Sequence, residues 1–391
     1  AWNINLSPLI IVTILTNYFF GKKISETLEA NKKKIILSFA IIFNILFLAF
    51  FKYSDFLITN INYLFNSNFG MLNFPFPLAL SFVTFQTIAY LVDCFDGNIP
   101  KTNLKKYALF IAFFPQLIAG PIVRYNFMMS QFEDVKNHSI NLKNIYIGLI
   151  VIAIGLMKKI LIADNLSPIV DQGFNAQEQL SFFDSWFTSL GFTFQIYFDF
   201  SGYIDMATGI ALLFNINLPS NFNSPFKASG MINFWQRWHI TLSTFLTNYI
   251  YYPLSRSFKD LTFTKSMLIT MIVFLIAGLW HGPSWLFVTF GGLHGLGLIL
   301  NHIYKKLSTF ELNKVLSIFL TFNYVNFTLI FFRAESFDSA FKIIKGMFSL
   351  QNLTSLTDTI VSTNSIIAFA VAFVICFFTK NTLQIISELK K

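Results

Sequence analysis

Charge is what this chain has least of. Asp, Glu, Lys and Arg make up 12% of its 391 residues, about half the share found in soluble globular domains. With a mean hydropathy of +0.59, that scarcity excludes an ordinary soluble enzyme. Cysteine is almost absent. Cys94 and Cys376 have no CxxC spacing around them, so neither a disulfide scaffold nor a cysteine zinc site is implied. The five histidines are also dispersed: His281 and His294 are 13 apart, and His294 and His302 are 8 apart. A metal site needs clustered ligands such as two His at i and i+4, so no metal is expected. The chain lacks a Gly-x-Ser-x-Gly elbow, a Gly-rich phosphate loop, an internal repeat and a low-complexity tail. A serine hydrolase is thereby disfavoured.

What is present is apolar. Hydrophobic residues fill 54% of the chain and aromatic residues 18%, with 51 phenylalanines. Repeated apolar runs indicate a multi-span integral protein, in contact with membrane lipids, rather than an anchored soluble domain. The net charge of +9 is not spread as a nucleic-acid surface would be, and no nucleic-acid partner is expected. It clusters in short loops at Lys22, Lys23, Lys32, Lys33 and Lys34, at Lys158 and Lys159, and at Lys305 and Lys306. That is the distribution of cytoplasmic loops under the positive-inside rule. The same charge can attract a phosphate-rich substrate from the cytoplasm.

A span needs about 20 apolar residues. Candidate runs lie near 4–20, 35–51, 77–92, 107–122, 146–163, 182–198, 203–216, 266–280, 285–300, 312–332 and 364–379. Several are short of a crossing. Pro77, Gly120-Pro121, Gly191, Gly202, Gly282-Pro283 and Gly291-Gly292 interrupt or bound them. Broken segments inside a bundle line a cavity, since unsatisfied backbone cannot face lipid. The expectation is a single all-α domain over 1–391, a polytopic transmembrane bundle of about 10–12 membrane helices, some short or re-entrant. The chain starts at Ala1 inside apolar sequence, with no Met and no signal-peptide pattern, so a preceding span is expected.

Two histidines stand out, because imidazole exchanges protons near pH 7 and is costly in apolar surroundings unless hydrogen-bonded. His281 follows the 15-residue run Ser266–Trp280, which at ~1.5 Å per residue covers roughly 22 Å of a ~30 Å hydrocarbon core. Gly282-Pro283 then breaks the helix and leaves His281 at a break within the membrane's depth. His239 lies in the stretch 231–252. There Trp235, His239, Leu242, Leu246 and Tyr249 share one helical face, and Arg237, Thr241, Thr244 and Asn248 another. One amphipathic helix is predicted, interfacial or re-entrant, with His239 on its apolar face. On these grounds alone, catalysis and a hydrogen-bonded helix-end role both stay open for His281, as does a packing role for His239. Asp199 and Asp205 are carboxylates in an apolar stretch, able to pair with Arg, orient a histidine or form a structural ion pair. Gln86 with Asp93, and Gln116 with Arg124, either line the same cavity or bond between helices.

Five motifs carry a resemblance. Phe194-Gln-Ile-Tyr-Phe-Asp-Phe-Ser-Gly-Tyr-Ile-Asp-Met-Ala, Asn233-Phe-Trp-Gln-Arg-Trp-His-Ile-Thr-Leu-Ser and Gly278-Leu-Trp-His-Gly resemble the membrane-bound O-acyltransferases. Phe113-Phe-Pro-Gln-Leu-Ile-Ala-Gly-Pro-Ile-Val-Arg124 and Ser81-Phe-Val-Thr-Phe-Gln-Thr-Ile-Ala-Tyr-Leu-Val-Asp93 resemble the same family, in its alginate O-acetylase and peptidoglycan O-acetyltransferase branch. The resemblance implies a helix bundle around a central funnel or tunnel, and transfer of an acyl group from a cytoplasmic thioester to an acceptor hydroxyl. It places the family's essential histidine on His281 and its second functional polar position on His239. His294, in Gly-Gly-Leu-His-Gly, also matches, with no assigned role.

The implied enzyme is a membrane O-acetyltransferase of the bacterial inner membrane. Acetyl-CoA or another thioester would dock from the basic face, with Lys158, Lys159 and Arg237 as phosphate contacts. His281 would act as general base, or as a transient acyl carrier. His239 would orient the thioester or polarise its carbonyl. The acceptor would be a cell-wall or exported polysaccharide such as peptidoglycan, reached directly or through a periplasmic acetyltransferase partner. Asp199, Asp205, Gln116, Arg124 and His294 would be tunnel or structural polar groups. The chain departs from the branch at Gln236, where members often carry a basic residue, and at Thr247-Asn248, where they often carry Arg-Asp. Competing readings are a D-alanyl-type transferase fed by a carrier-protein thioester, a transporter or acyl channel with proton-relay histidines, and a scaffold subunit with a decayed site.

Overall fold

The computed structural model describes residues 6–77, 79–100, 102–118, 120–349 and 362–391. The first residues of the apolar run 4–20 lie outside them. All regular elements among the described residues are helical. They fall into two compact units, Ala1–Asn141 with Phe214–Pro219, and Leu142–Leu213 with Ser220–Lys391.

In the first unit, α1 (Ser7–Glu26), α2 (Ala30–Lys52) and α4 (Leu80–Phe95) pack together. The short α3 (Ser54–Phe65) follows α2 directly. Helix α2 shows how such a helix is built. Ala40, Asn44 and Leu48, four apart, are buried, while Phe39, Ile42 and Leu46 on other faces are exposed. Apolar side chains point outward because lipid is the surrounding solvent, and small or polar ones point toward neighbouring helices. Asn17 of α1 and Asn44 exchange side-chain hydrogen bonds of 3.0 and 2.7 Å. The run 107–122 is not one helix. It divides at the extended Phe113 into α5 (Leu104–Ala112) and the single turn α6 (Phe114–Leu117), with Pro115 second in it. Helix α7 (Tyr125–Phe132) follows.

In the second unit, α8 (Leu142–Met157) continues through a π-helical turn at Lys158–Ala163 into α9 (Asp164–Asn175). Helix α10 (Phe182–Leu213) is 32 residues long. It absorbs the apolar run 182–198 and most of 203–216, ending at Leu213. Gly202 does not break it, because it serves a close crossing with α8. A Cβ added at Gly155 would lie 2.6 Å from the Gly202 carbonyl oxygen, and one at Gly202 would lie 2.8 Å from that of Gly155. Helix–helix contact in membranes favours such small residues.

Stretch 231–252 departs from the predicted continuous helix. Instead α11 (Met231–Trp235) stops, α12 (Ile240–Leu246) restarts, and a π-turn at Thr247–Tyr251 leads into α13 (Tyr252–Arg256). His239 stands at the restart in the left-handed region, with φ of 44°. The wheel failed here because one left-handed residue resets the helical phase.

Next come α14 (Phe263–His281) and α15 (Trp285–Leu307), which pack tightly on each other. Helix α14 starts earlier than the apolar run, since Thr262 caps it by accepting from the Lys265 amide. Its 19 residues make it long and apolar enough to cross a bilayer, not short of a crossing as the run alone implied. Helices α16 (Lys314–Arg333), α17 (Phe337–Phe348), α18 (Thr363–Phe378) and α19 (Thr382–Lys390) complete the unit. Among the described residues five helical segments are long and apolar enough to cross a membrane: α2, α8–α9, α14, α15 and α16. The pair α18 and α19, bent by 57°, would make a sixth. The chain is a multi-pass helical membrane protein.

Candidate active site

The site is built in the second unit around three imidazoles. His281 is the last residue of α14, and Gly282 continues in extended conformation, so the helix ends where the sequence predicted. Ser284 caps α15 by accepting from the Leu286 amide, so the break is only three residues long, 282–284. The two helices then cross closely. A Cβ at Gly278 would collide with the Phe287 carbonyl, and one at Gly291 with that of Phe274. This approach sets Phe290 of α15 against His281, with ring centroids 5.8 Å apart, and Phe332 of α16 at 5.2 Å.

Aromatic rings join the three imidazoles. Trp280 is 5.0 Å from His281 and 6.3 Å from His239. Phe290 is 4.5 Å from His294. His239 and His294 are both buried, and each interacts electrostatically with His281. His281 itself is partly exposed.

The hydrogen bonds fix which nitrogen of each buried imidazole carries the proton. Asn221 Oδ1 accepts from the Thr241 backbone N–H at 3.1 Å and from the Thr241 hydroxyl at 3.0 Å. A backbone N–H can only donate, so the amide oxygen faces this cluster. His239 Nδ1 lies 3.2 Å from the same oxygen and must therefore donate to it. In neutral His239, Nε2 is then the nitrogen with a free lone pair. His294 is wired the other way. The Thr328 hydroxyl gives its one proton to the Val325 carbonyl at 2.7 Å. His294 Nε2, 2.9 Å from that hydroxyl, must donate to it, leaving the lone pair on Nδ1. That nitrogen is buried without a hydrogen-bond partner among the described residues.

The polar loop before the motif positions His239. The Ile240 amide donates to the Asn221 carbonyl at 3.0 Å, and the Asn223 amide to the Arg237 carbonyl at 2.9 Å. Arg237 returns Nη1 to the Asn223 carbonyl at 3.3 Å and Nε to Asn233 Oδ1 at 3.0 Å. Loop and broken helix thus hold each other. Asn221 and Thr328 were not legible as site residues in the sequence. They lie 18 and 34 positions from the histidines they orient, beyond any helical period.

A family model for the membrane-bound O-acyltransferases matches residues 95–301, a segment containing all three imidazoles. The peptidoglycan O-acetyltransferase of Helicobacter pylori is 44% identical over 382 residues, covering 90% of this chain and 72% of the relative. The chain belongs to the membrane-bound O-acyltransferase family. A probable alginate O-acetylase of Azotobacter vinelandii is 33% identical over 362 residues, covering 90% of this chain and 71% of that protein. The teichoic acid D-alanyltransferase of Streptococcus thermophilus is more distant, 27% identical over 295 residues, covering 68% and 70%. As a member of this family the chain is an O-acyltransferase.

The remaining expected site residues of this O-acyltransferase make bonds of their own. Lys158 Nζ donates to Asp205 Oδ2 at 2.6 Å and to the Thr382 hydroxyl oxygen at 2.9 Å. The Thr382 hydroxyl closes the triangle on Asp205 Oδ2 at 2.7 Å. Lys159 bridges Asp199 at 2.7 Å and Asp164 at 2.9 Å. Among the described residues Asp199 and Asp205 therefore each pair with lysine rather than with Arg or a histidine. In the first unit Gln116 is buried and donates to the Phe110 carbonyl at 2.9 Å, while Arg124 is exposed at the start of α7. Among the described residues no three His, Cys, Asp or Glu side chains are grouped as metal ligands.

Proposed function

We propose that this O-acyltransferase moves an acetyl group from acetyl-CoA to a hydroxyl of a cell-wall or exported polysaccharide, with peptidoglycan the first candidate. The observation that carries this reading is the position of His281. It ends a membrane helix at a three-residue break, linked through Trp280 to one imidazole and through Phe290 to another. The names of the relatives support acetyl over D-alanyl transfer, since the acetyltransferases share 44% and 33% identity and the D-alanyltransferase 27%.

In this mechanism neutral His281 takes the proton of the acceptor hydroxyl as its oxygen attacks the thioester carbonyl. The tetrahedral intermediate collapses, the C–S bond breaks, and His281 returns the proton to the thiolate. His239 orients the reactants as a hydrogen-bond acceptor through Nε2. Polarising the thioester carbonyl would need a donor hydrogen that this tautomer does not present on Nε2. The three basic residues expected at the donor phosphates are each already bonded: Lys159, with 42% of its side chain exposed, holds Asp199 and Asp164. Lys158, at 13%, is committed to Asp205, and Arg237 to its loop. The enzyme would work in the bacterial inner membrane, with donor on the cytoplasmic side and acceptor reached through a funnel, directly or through a periplasmic partner.

The test is transfer of label from radiolabelled acetyl-CoA to a polysaccharide acceptor by purified protein in liposomes. Wild type is expected to transfer label and His281→Ala to lose nearly all of it. Equal labelling by both would remove His281 from the chemistry. Label that crosses the bilayer without becoming esterified would favour a channel.

A further inference from the structure

We propose that Trp235 and His294 frame a binding position for a single hydroxyl group, which accepts the indole N–H and donates to His294 Nδ1. Trp235 is 5% exposed and His294 2%. Their rings sit 5.2 Å apart at 80° to each other. Yet Trp235 Nε1 and His294 Nδ1 are both buried atoms with no hydrogen-bond partner among the described residues. Buried polar atoms rarely stay unpaired, and an orphaned donor and an orphaned acceptor on neighbouring rings call for a group that is both acceptor and donor.

The tautomer decides the chemistry of that group. His294 Nε2 spends its proton on Thr328, so Nδ1 offers only a lone pair, and an indole N–H offers only a proton. A carbonyl or carboxylate would satisfy the indole and repel Nδ1. An ammonium would satisfy Nδ1 and repel the indole. A hydroxyl satisfies both. The surroundings are apolar: Phe274 lies 4.8 Å from Trp235, Phe290 4.5 Å from His294, and Phe234 within 6.1 Å of both. Phe290 also touches His281, so the position adjoins the imidazole that the proposed mechanism uses.

Two sources supply such a hydroxyl, a water molecule or the acceptor alcohol. The second source rests on the acetyl-transfer reading, whereas the position itself does not. The experiment is a structure of the full chain in nanodiscs, at a resolution that shows ordered water, with and without a soluble sugar acceptor. It is paired with steady-state kinetics of Trp235→Phe, which removes the donor but keeps an aromatic ring.

Density within hydrogen-bond distance of both nitrogens is expected. If added acceptor replaces it with a sugar oxygen, the occupant is substrate, and Trp235→Phe raises the acceptor KM about tenfold, as for one lost hydrogen bond, with the acetyl-CoA KM unchanged. If the density is the same with and without acceptor, the occupant is water, and Trp235→Phe abolishes it without moving the acceptor KM. The absence of density from both structures overturns the proposal, whether or not the protein transfers acetyl. Density in a protein that transfers no acetyl group keeps the position and removes the acetyl-transfer reading.

Discussion

His239 and His294 are each linked to His281 through one aromatic ring, share the same burial, and are wired in opposite senses. His239 sits where a helix has been broken, and a loop amide takes its Nδ1 proton. His294 sits inside the regular helix α15, and a threonine of α16 takes its Nε2 proton. The broken segment fixes both ring and backbone, and Nε2 is left over as an acceptor. In the regular helix the helical hydrogen bonds fix the backbone, Thr328 fixes the ring, and Nδ1 is left over. Sequence position therefore says little about which nitrogen faces the chemistry. The second hydrogen bond of each ring says it.

The comparison can be broken at its centre. His281→Ala is expected to lower acetyl transfer about a thousandfold, within the span of a lost general base, with an unchanged gel-filtration profile. Retention of a tenth of the activity would remove the reason to compare its neighbours. Next, the reading above gives His239 an orienting role in the reaction, so His239→Asn is expected to cost about a hundredfold in kcat and His294→Asn about tenfold. Side-by-side kinetics in one detergent would expose a reversed order.

The anchors come third. Asn221→Ala removes the acceptor of three hydrogen bonds and frees the His239 tautomer. A tenfold loss of kcat is expected, with about 1–3 kcal/mol of destabilisation from the unpaired donors, measured by thermal unfolding in detergent. Thr328→Val is the smallest change. It leaves His294 Nε2 without an acceptor but keeps shape, at about 1 kcal/mol and less than a threefold change in kcat. A larger kinetic effect from Thr328→Val than from Asn221→Ala would show that the regular helix, not the broken one, sets the reactive geometry.

Much of the helix order was legible, because apolar runs must become helices where backbone cannot meet water. The break after His281 was legible for the same local reason, a Gly-Pro pair. Glycine misled at 191 and 202. In water it weakens a helix, but Gly202 lies in α10 where α8 crosses, and the helix runs on. The broken stretch 231–252 was hidden because its cause lies elsewhere: Asn221 and the Arg237–Asn223 bonds hold a left-handed residue that no periodicity reveals. Lys158 and Lys159 looked like free loop charge, and only the fold shows Asp205 and Asp199 waiting across from them.

The triangle of Lys158, Asp205 and Thr382 has a meaning in the order of synthesis. Thr382 is made 177 residues after Asp205, so the ribosome delivers the ion pair long before the hydroxyl that completes it. Until α19 arrives, the nascent bundle carries a charged pair with two hydrogen bonds missing, and α19 works as a completion latch. Chains arrested before Thr382 are expected to be degraded faster than full chains, which a pulse-chase in cells would measure.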